Sequence, residues 1–223
     1  DVIASVAERT RVVAPDMLGY GQSDKPADGN YSIFKSADMY EAIAKEDGLR
    51  NVDLVIHDLG QTVGAELMAR QEEGKLSFRI RHAIVFNGST LVDMVHFVPE
   101  QVKMLEAPDE LTEGMSADKL SHFMSQDGLF ARERAPNEAL LDVMVAQVRA
   151  KRGDRLLARM NRYQLERKKN LQRWRDGLTK LSAPTTICWG EQDINAKVEM
   201  AHKMKELNSD IDLHIWKDCA HWP

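Results

Sequence analysis

The stretch that decides the fold reads Val55-Ile56-His57-Asp58-Leu59-Gly60-Gln61-Thr62-Val63-Gly64. Residues 52–56 before its midpoint are short, apolar and β-branched, which predicts a buried strand. Residues 60–71 carry apolar side chains at helical spacing and predict a helix. Only a tight turn fits between the two elements. We therefore expect Asp58, at the apex of that turn, to stand above the sheet in a strained backbone conformation.

The residue type at the apex bears on the chemistry. Such a turn commonly carries serine in the pattern Gly-x-Ser-x-Gly, whereas this chain has Asp58, with Gly60 at the second small position and Ile56 at the first. An aspartate is already ionised near neutrality and attacks a carbon electrophile without a base. Attack on an epoxide or halide carbon leaves an ester that water can cleave, while serine would leave an ether. Asp58 therefore favours substrates with an electrophilic carbon.

The segments on either side alternate between strand and helix. The predicted strands cover residues 11–15, 52–56, 83–86, 184–189 and 211–215, and the predicted helices cover residues 36–48, 60–71 and 198–207. This alternation indicates an α/β fold, with a mostly parallel sheet flanked by helices and right-handed crossovers.

The alternation is interrupted by a long helical segment. Residues 91–178 show helical periodicity and turn signals but no convincing strand. We predict an α/β core formed by residues 1–90 and 179–223, with an all-helical lid at residues 91–178. Residues 149–175 are dense in Arg and Lys, which we interpret as a solvated helical face held by local ion pairs rather than an anion-binding patch.

Composition limits the partners. The 223 residues, 43% of them hydrophobic, suffice for one large core. A net charge of −5 gives no reason to expect nucleic acid or anionic membrane, so we expect a small neutral or apolar substrate and water as partners. No apolar run approaches the roughly 20 residues of a membrane span.

Cysteines and metal-ligand patterns are sparse. Cys188 and Cys219 are too few for a disulfide framework, so we expect a soluble protein in a reducing, cytoplasmic compartment. No His, Cys, Asp and Glu cluster shows ligand spacing and no glycine motif suits a phosphate, so we expect no metal and no organic cofactor. The oligomeric state is left open.

Four segments, in this order and spanning nearly the whole chain, carry a resemblance to a known family. They are residues 13–26 (VAPDMLGYGQSDKP), 57–60 (HDLG), 189–193 (WGEQD) and 219–222 (CAHW). Together they resemble the branch of the α/β-hydrolase fold superfamily that holds epoxide hydrolases and haloalkane dehalogenases. The resemblance implies an Asp-Asp-His triad in which Asp58 is the nucleophile, Asp193 the acid and His221 the general base.

The resemblance also implies a mechanism. His221, oriented by Asp193, would take a proton from water, and the hydroxide would cleave the ester on Asp58. The backbone N–H of Leu59, at a helix N-terminus, would supply one donor to the oxyanion. We expect His57, which shapes the turn, and Trp222 to contact the substrate.

Two further features bear on the substrate. Haloalkane dehalogenases resemble one another in placing Trp after the nucleophile to bind the halide, and many epoxide hydrolases carry Trp there too. This chain has Leu59, which removes an N–H donor that a halide would need and so disfavours dehalogenation. Tyr163 resembles the lid tyrosine that protonates the epoxide oxygen in epoxide hydrolases, although a core aromatic role is equally open. The second lid tyrosine of those enzymes has no counterpart here.

Other segments resemble a neighbouring group. Residues 57–63, 78–82, 87–88 and 166–174 are similar to the mesoderm-specific-transcript-like α/β-hydrolases, a group with no substrate to transfer. Complete relatives begin with further strands and a His-Gly loop, and end with a helix after the histidine. Because this chain starts without Met and stops after Trp222-Pro223, we expect it to be truncated at both ends.

Three functional hypotheses follow. The first is a hydrolase that opens epoxides through an ester on Asp58. The second is haloalkane dehalogenation or the hydrolysis of a carboxylic ester or lactone, the last with Asp58 in an atypical role. The third is a non-catalytic α/β-hydrolase scaffold that binds a ligand or protein.

Overall fold

A parallel sheet forms the centre of the fold. The computed structural model describes residues 2–95, 97, 99–125 and 129–222. Its strands are β1 (Asn51–Ile56), β2 (Arg79–Val85), β3 (Thr185–Gly190) and β4 (Asp212–Trp216). They lie in the order β1-β2-β3-β4, and each neighbouring pair is parallel. The carboxyl ends of all four strands therefore meet at one edge of the sheet.

Helices flank this sheet and fill the chain between β2 and β3. Those outside the predicted lid are α1 (Val2–Ala7), α2 (Ile33–Glu46), α3 (Leu59–Glu72) and α10 (Val198–Leu207). Those between β2 and β3 are α4 (Pro99–Glu106), α5 (Ala117–Met124), α6 (Glu138–Arg149), α7 (Leu157–Met160), α8 (Tyr163–Lys169) and α9 (Leu171–Thr179), with 3-10 helices at Val92–Met94 and Ala150–Arg155. Within the described ranges, none of these helices is long and apolar enough to cross a membrane.

The predicted mostly parallel sheet flanked by helices is confirmed, and one predicted strand is wrong. Residues 11–15 form no strand, because they pair with none of the described strands. Helix α2 begins before residue 36, because the side chain of Ser32 accepts a hydrogen bond from the Lys35 N–H and caps the helix at its start.

The core lies between the sheet and the pair α3 and α9. Its large buried side chains include Met68, Ile80, Trp174, Ile187 and Trp189. Helices α3 and α9 approach backbone to backbone at Gly177, where an added Cβ would lie 2.2 Å from the carbonyl oxygen of Ala65. Only glycine allows this contact.

A buried carboxylate joins the same two helices. Glu66 of α3 accepts hydrogen bonds from Arg70 Nε at 2.9 Å, Arg173 Nε at 2.7 Å and Trp174 Nε1 at 2.9 Å. The Glu66 side chain is 2% exposed, so its charge is compensated inside the protein. We call Glu66, Arg70, Arg173 and Trp174 the Glu66 cluster. It fixes the last helix before β3 to the helix that follows the tight turn.

The interpretation of the basic residues 149–175 as a solvated face with local ion pairs is wrong for Arg162, Arg167 and Arg173, although several other lysines and arginines of this segment are exposed. Arg167 is 0% exposed. Arg162 pairs with Asp109, and Arg173 pairs with Glu66, which are distant in sequence. These arginines instead attach α8 and α9 to other parts of the protein.

Candidate active site

The tight turn between β1 and α3 holds Asp58 in a strained conformation. Asp58 is the N-cap residue of α3, with φ 49° and ψ −118°. Its backbone N–H donates to the carbonyl oxygen of Asn87 at 2.7 Å, which fixes the turn to the end of β2. At Gly64, an added Cβ would lie 2.6 Å from Cγ2 of Ile56, so this glycine makes room for the isoleucine at the first small position.

An aspartate and a histidine meet beside this turn. His221 Nδ1 lies 2.7 Å from Oδ2 of Asp193, and both side chains are buried. The other oxygen of Asp193 accepts hydrogen bonds from the N–H groups of Asn195 and Ala196 at 2.8 and 2.9 Å. The carboxylate is thus held on one side by the backbone and on the other by the imidazole.

The second ring nitrogen of the histidine faces the turn. His221 Nε2 lies 3.9 Å from Oδ2 of Asp58. The Asp58 side chain is 43% exposed, so its carboxylate is open to an incoming molecule. The structure therefore brings together the three residues that the sequence predicts for a triad. The gap of 3.9 Å leaves His221 close enough to act on a water or a bond at Asp58.

The electrostatics of the site make Asp58 and His221 an ion pair. Burial lowers the pKa of His221, but the hydrogen bonds and charges of Asp193 and Asp58 outweigh it and raise the pKa to about 10. Burial raises the pKa of Asp58, but the hydrogen bond and charge of His221, together with Arg167, hold it well below its usual range. At neutral pH the resting site therefore holds a carboxylate beside an imidazolium.

His57 and Trp222 surround the His221 ring. His57 Nε2 hydrogen-bonds the carbonyl oxygen of His221 at 2.7 Å, and its ring lies 4.7 Å from that of His221. Burial, together with the charge of His221, lowers the pKa of His57. Trp222 is 44% exposed, and its ring lies 4.9 Å from His57 and 6.5 Å from Phe130. Both predicted contact residues therefore lie at the triad, with Trp222 presenting an apolar face to solvent.

Two tyrosines lie within electrostatic reach of Asp58. Tyr163 belongs to α8, and its hydroxyl accepts a hydrogen bond from Gln164 at 3.1 Å. Burial raises the pKa of Tyr163 to about 12, against the lowering effect of Arg167. Tyr20 follows Gly19 in a loop, and burial, with smaller electrostatic effects of Tyr163 and Asp58, raises its pKa too. Both hydroxyls keep their protons at neutral pH and can donate them.

The buried arginine of α8 stands against the same turn. Arg167 Nε donates to Thr62 Oγ1 at 2.7 Å, and Nη2 lies 3.5 Å from the carbonyl oxygen of Asp58. Its guanidinium carbon is 4.6 Å from the centre of the Tyr163 ring. The positive charge of Arg167, on α8, therefore lies beside Asp58.

Asn87 contacts both acidic residues, Asp58 through its backbone carbonyl oxygen and Asp193 through its side chain, and was missed in the sequence. Its Nδ2 donates to Asp193 Oδ2 at 2.9 Å and to the Gly190 carbonyl oxygen, while its Oδ1 accepts from the Gly190 N–H at 2.8 Å. One signal could have found it, since Asn87 comes two residues after the end of β2 and strand ends meet at one edge of a parallel sheet.

Arg167 and Tyr20 were also missed. Arg167 lies in a run of basic residues that resembles an exposed face, so its burial has no signal in the sequence. Tyr20 stands between two glycines in a loop far from Asp58 in the chain.

Oxyanion donors and metals are the remaining elements of such a site. Leu59 is the first residue of α3, and N–H groups in a first helical turn have no acceptor within the helix. Its N–H therefore has no acceptor within α3. In the part of the chain that the structure describes, no group of three His, Cys, Asp or Glu side chains is arranged to hold a metal ion.

Comparison with known proteins places these features in a family. The family model described as alpha/beta hydrolase fold matches residues 2–223. The mesoderm-specific transcript homolog protein of Bos taurus is 30% identical over 221 residues, which cover 96% of this chain and 65% of the relative. The 2-hydroxymuconate semialdehyde hydrolase of Pseudomonas sp. (strain CF600) is 25% identical over 235 residues, which cover 99% of this chain and 73% of that enzyme.

The fold also matches solved structures. The epoxide hydrolase CorEH, solved without ligand, superposes with a TM-score of 0.72 at 16% identity, over 99% of this chain and 78% of that one. This likeness concerns the fold alone. The chain thus spans about two thirds to three quarters of the length of the proteins that it resembles.

Proposed function

The chain belongs to the α/β-hydrolase fold family, and from that premise we propose that it is a hydrolase whose Asp58 carboxylate opens an epoxide and forms a covalent ester. The single observation that carries the proposal is the position of His221, 2.7 Å from Asp193 and 3.9 Å from Asp58. An ionised carboxylate at the apex, with a histidine beside it, suits attack on carbon followed by hydrolysis of the ester.

The first half-reaction forms the ester. An oxygen of Asp58 attacks a ring carbon of the epoxide, and the breaking C–O bond leaves its electron pair on the ring oxygen. That oxygen takes the phenolic proton of Tyr163, and the phenolate recovers a proton from the His221 imidazolium through water. Residue 58 is then a neutral ester and His221 a neutral base.

The second half-reaction removes the ester. His221, held by Asp193, takes a proton from water as the water oxygen attacks the carboxyl carbon of residue 58. The backbone N–H of Leu59 stabilises the oxyanion. The diol oxygen leaves with its electron pair and takes the proton from the His221 imidazolium, and the new carboxyl group of Asp58 then ionises and passes its proton to the neutral His221. One epoxide and one water give one diol.

Two features favour an epoxide over a halide or an ester. Leu59 offers no side-chain N–H to a leaving halide. Tyr163 supplies a proton donor whose pKa of about 12 keeps it protonated until an alkoxide forms. An activated carboxylic ester needs neither a halide-binding N–H nor a proton donor such as Tyr163.

The test follows the covalent ester in the full-length protein with styrene oxide. We expect the His221→Gln protein to gain the mass of the epoxide on the peptide that holds Asp58, because hydrolysis stops after the first step. Asp58→Asn abolishes both adduct and diol. The matched control is Asp53→Asn, at an exposed aspartate of β1 that pairs with Arg81, which leaves turnover unchanged.

A single turnover in water labelled with oxygen-18 adds a second readout. Attack of water on the ester carbon places the label in the carboxylate of Asp58, whereas direct attack on the epoxide places it only in the diol. The absence of any adduct in the His221→Gln protein, together with turnover of p-nitrophenyl acetate that Asp58→Asn does not affect, would contradict the proposal and favour ester hydrolysis. Ligand binding that survives Asp58→Ala, without turnover on any substrate, would favour a scaffold.

A further inference from the structure

Arg167 is a buried cation whose hydrogen bonds all go to neutral groups. It is 0% exposed, and its partners are Thr62 Oγ1, Gln164 Oε1 and the carbonyl oxygen of Asp58, at 2.7, 3.1 and 3.5 Å. Among the described residues, no Asp or Glu lies within ion-pair distance of its guanidinium. A buried guanidinium is costly unless a negative charge nearby compensates it. A candidate for that compensation is the carboxylate of Asp58, whose carbonyl oxygen Arg167 contacts and whose pKa it helps to lower against the opposing effect of burial.

The net charge of the site indicates a role for Arg167. In the resting state Asp58 and Asp193 each carry one negative charge, and His221 and Arg167 each carry one positive charge, so the four sum to zero. His57 is neutral because burial and the charge of His221 lower its pKa. Tyr20 and Tyr163 are neutral because burial raises theirs.

The net charge of the site stays at zero through the proposed reaction only because Arg167 is present. When residue 58 becomes a neutral ester, Asp193 and Arg167 balance each other and His221 is free to be neutral. When the oxyanion forms, His221 has taken a proton from water and the sum is again zero. Without Arg167, the ester state would balance Asp193 with a protonated His221, and a protonated imidazole cannot act as a base.

We propose that Arg167 is a positioning residue of the hydrolytic half-reaction, which keeps His221 unprotonated in the ester state and favours the oxyanion that follows. This inference rests on the proposed function, since it needs an ester on Asp58. Arg167 itself does not touch the substrate, because it is fully buried beneath Tyr163 and the tight turn. Its charge acts on the second step more than on the first, since the first step begins from a site that is already ionised.

The experiment separates the two half-reactions by rapid quench and intact mass, in the full-length protein with styrene oxide. For Arg167→Met, we expect ester formation to stay close to the wild-type rate and ester hydrolysis to slow by about tenfold or more, a factor that corresponds to one pKa unit of differential interaction. The ester therefore accumulates during turnover in this variant. Arg167→Gln gives the same accumulation should the Met variant fold poorly, and Arg167→Lys, which keeps the charge, restores most of the hydrolysis.

A matched control distinguishes charge from docking of the helix. Thr62→Val removes the 2.7 Å hydrogen bond of Arg167 but leaves the guanidinium in place, so we expect it to leave the ratio of the two rates unchanged. Arg149→Met, at an exposed arginine of α6, should also change neither rate.

Three outcomes would overturn the inference. Hydrolysis at the wild-type rate in Arg167→Met would show that the charge is not needed. Equal slowing of both steps in Arg167→Met and in Thr62→Val would show a structural role. The absence of any adduct in the His221→Gln protein would overturn the proposed function as well, whereas an adduct there, with no effect of Arg167→Met on hydrolysis, overturns this inference alone.

Discussion

Replacing Glu66 by Gln tests the coupling between α3 and α9. The side chain is 2% exposed and accepts hydrogen bonds from Arg70, Arg173 and Trp174. Gln keeps the shape but loses the charge, and its amide N–H₂ faces these donors. Breaking a buried ion pair by removing one partner costs 3–5 kcal/mol. Since Arg70 retains Glu41 and Arg173 retains other contacts, we expect a loss near the lower limit, roughly 3 kcal/mol.

The measurement is urea denaturation of the full-length protein at pH 7, supported by thermal melting. For a domain of this size, a loss of roughly 3 kcal/mol lowers the melting temperature by about 6–12 °C. The control is Glu73→Gln, because Glu73 also binds Arg173 but is 33% exposed, and an exposed pair contributes less than about 1 kcal/mol. Equal losses in the two variants would refute the reasoning that burial makes the Glu66 cluster strong.

The contribution of the Glu66 carboxylate to stability depends on pH in one direction. Burial raises the pKa of Glu66, but the hydrogen bonds from Arg173, Arg70 and Trp174 outweigh it, and the net effect is a lowered pKa. Its contribution to stability is therefore complete above the ordinary glutamate value of 4.5 and lost as the pH falls through the lowered value. The difference between wild type and Glu66→Gln should shrink only in acid.

Two further predictions concern the site. Asn87→Ala removes the amide that donates to Asp193 at 2.9 Å, so we expect kcat on styrene oxide to fall by about tenfold or more, with KM little changed; an unchanged kcat would exclude a positioning role. The raised pKa of His221 gives stability that is complete below the ordinary histidine value of 6.5 and is lost as the pH rises through about 10. Denaturation at pH 6 and pH 10 should therefore show a larger fall for wild type than for His221→Gln, and an identical fall in both would contradict that pKa.

Much of the sheet could be predicted because its strands are local signals. Residues 52–56 and 184–189 are apolar and β-branched runs bounded by polar turns, and both form strands within a residue or two. Residues 11–15 have the same composition but no strand, because pairing depends on a neighbouring backbone that a local pattern does not reveal. Helix α10 was bounded correctly at residues 198–207, since its apolar spacing is regular.

The candidate site was predictable only where residue type and position act together. Asp58 could be placed because the turn between a strand and a helix dictates its exposure. Asn87 and Arg167 could not, because their roles depend on distances across the fold, to Asp193 and to Thr62, that no sequence spacing contains. The sequence pattern of a basic helix is the same whether one of its arginines faces water or, like Arg167, is buried against neutral groups.

The contact of Gly177 with Ala65 has a mechanical consequence. Two helices whose backbones touch, and whose side chains share one carboxylate, behave as a single rigid body. Asn170 is both the last cap of α8 and the first cap of α9, so a displacement of α8 relative to this body would bend the chain at that residue. Arg167 belongs to α8 and Asp58 caps α3, so such a bend would change the distance between this cation and the carboxylate.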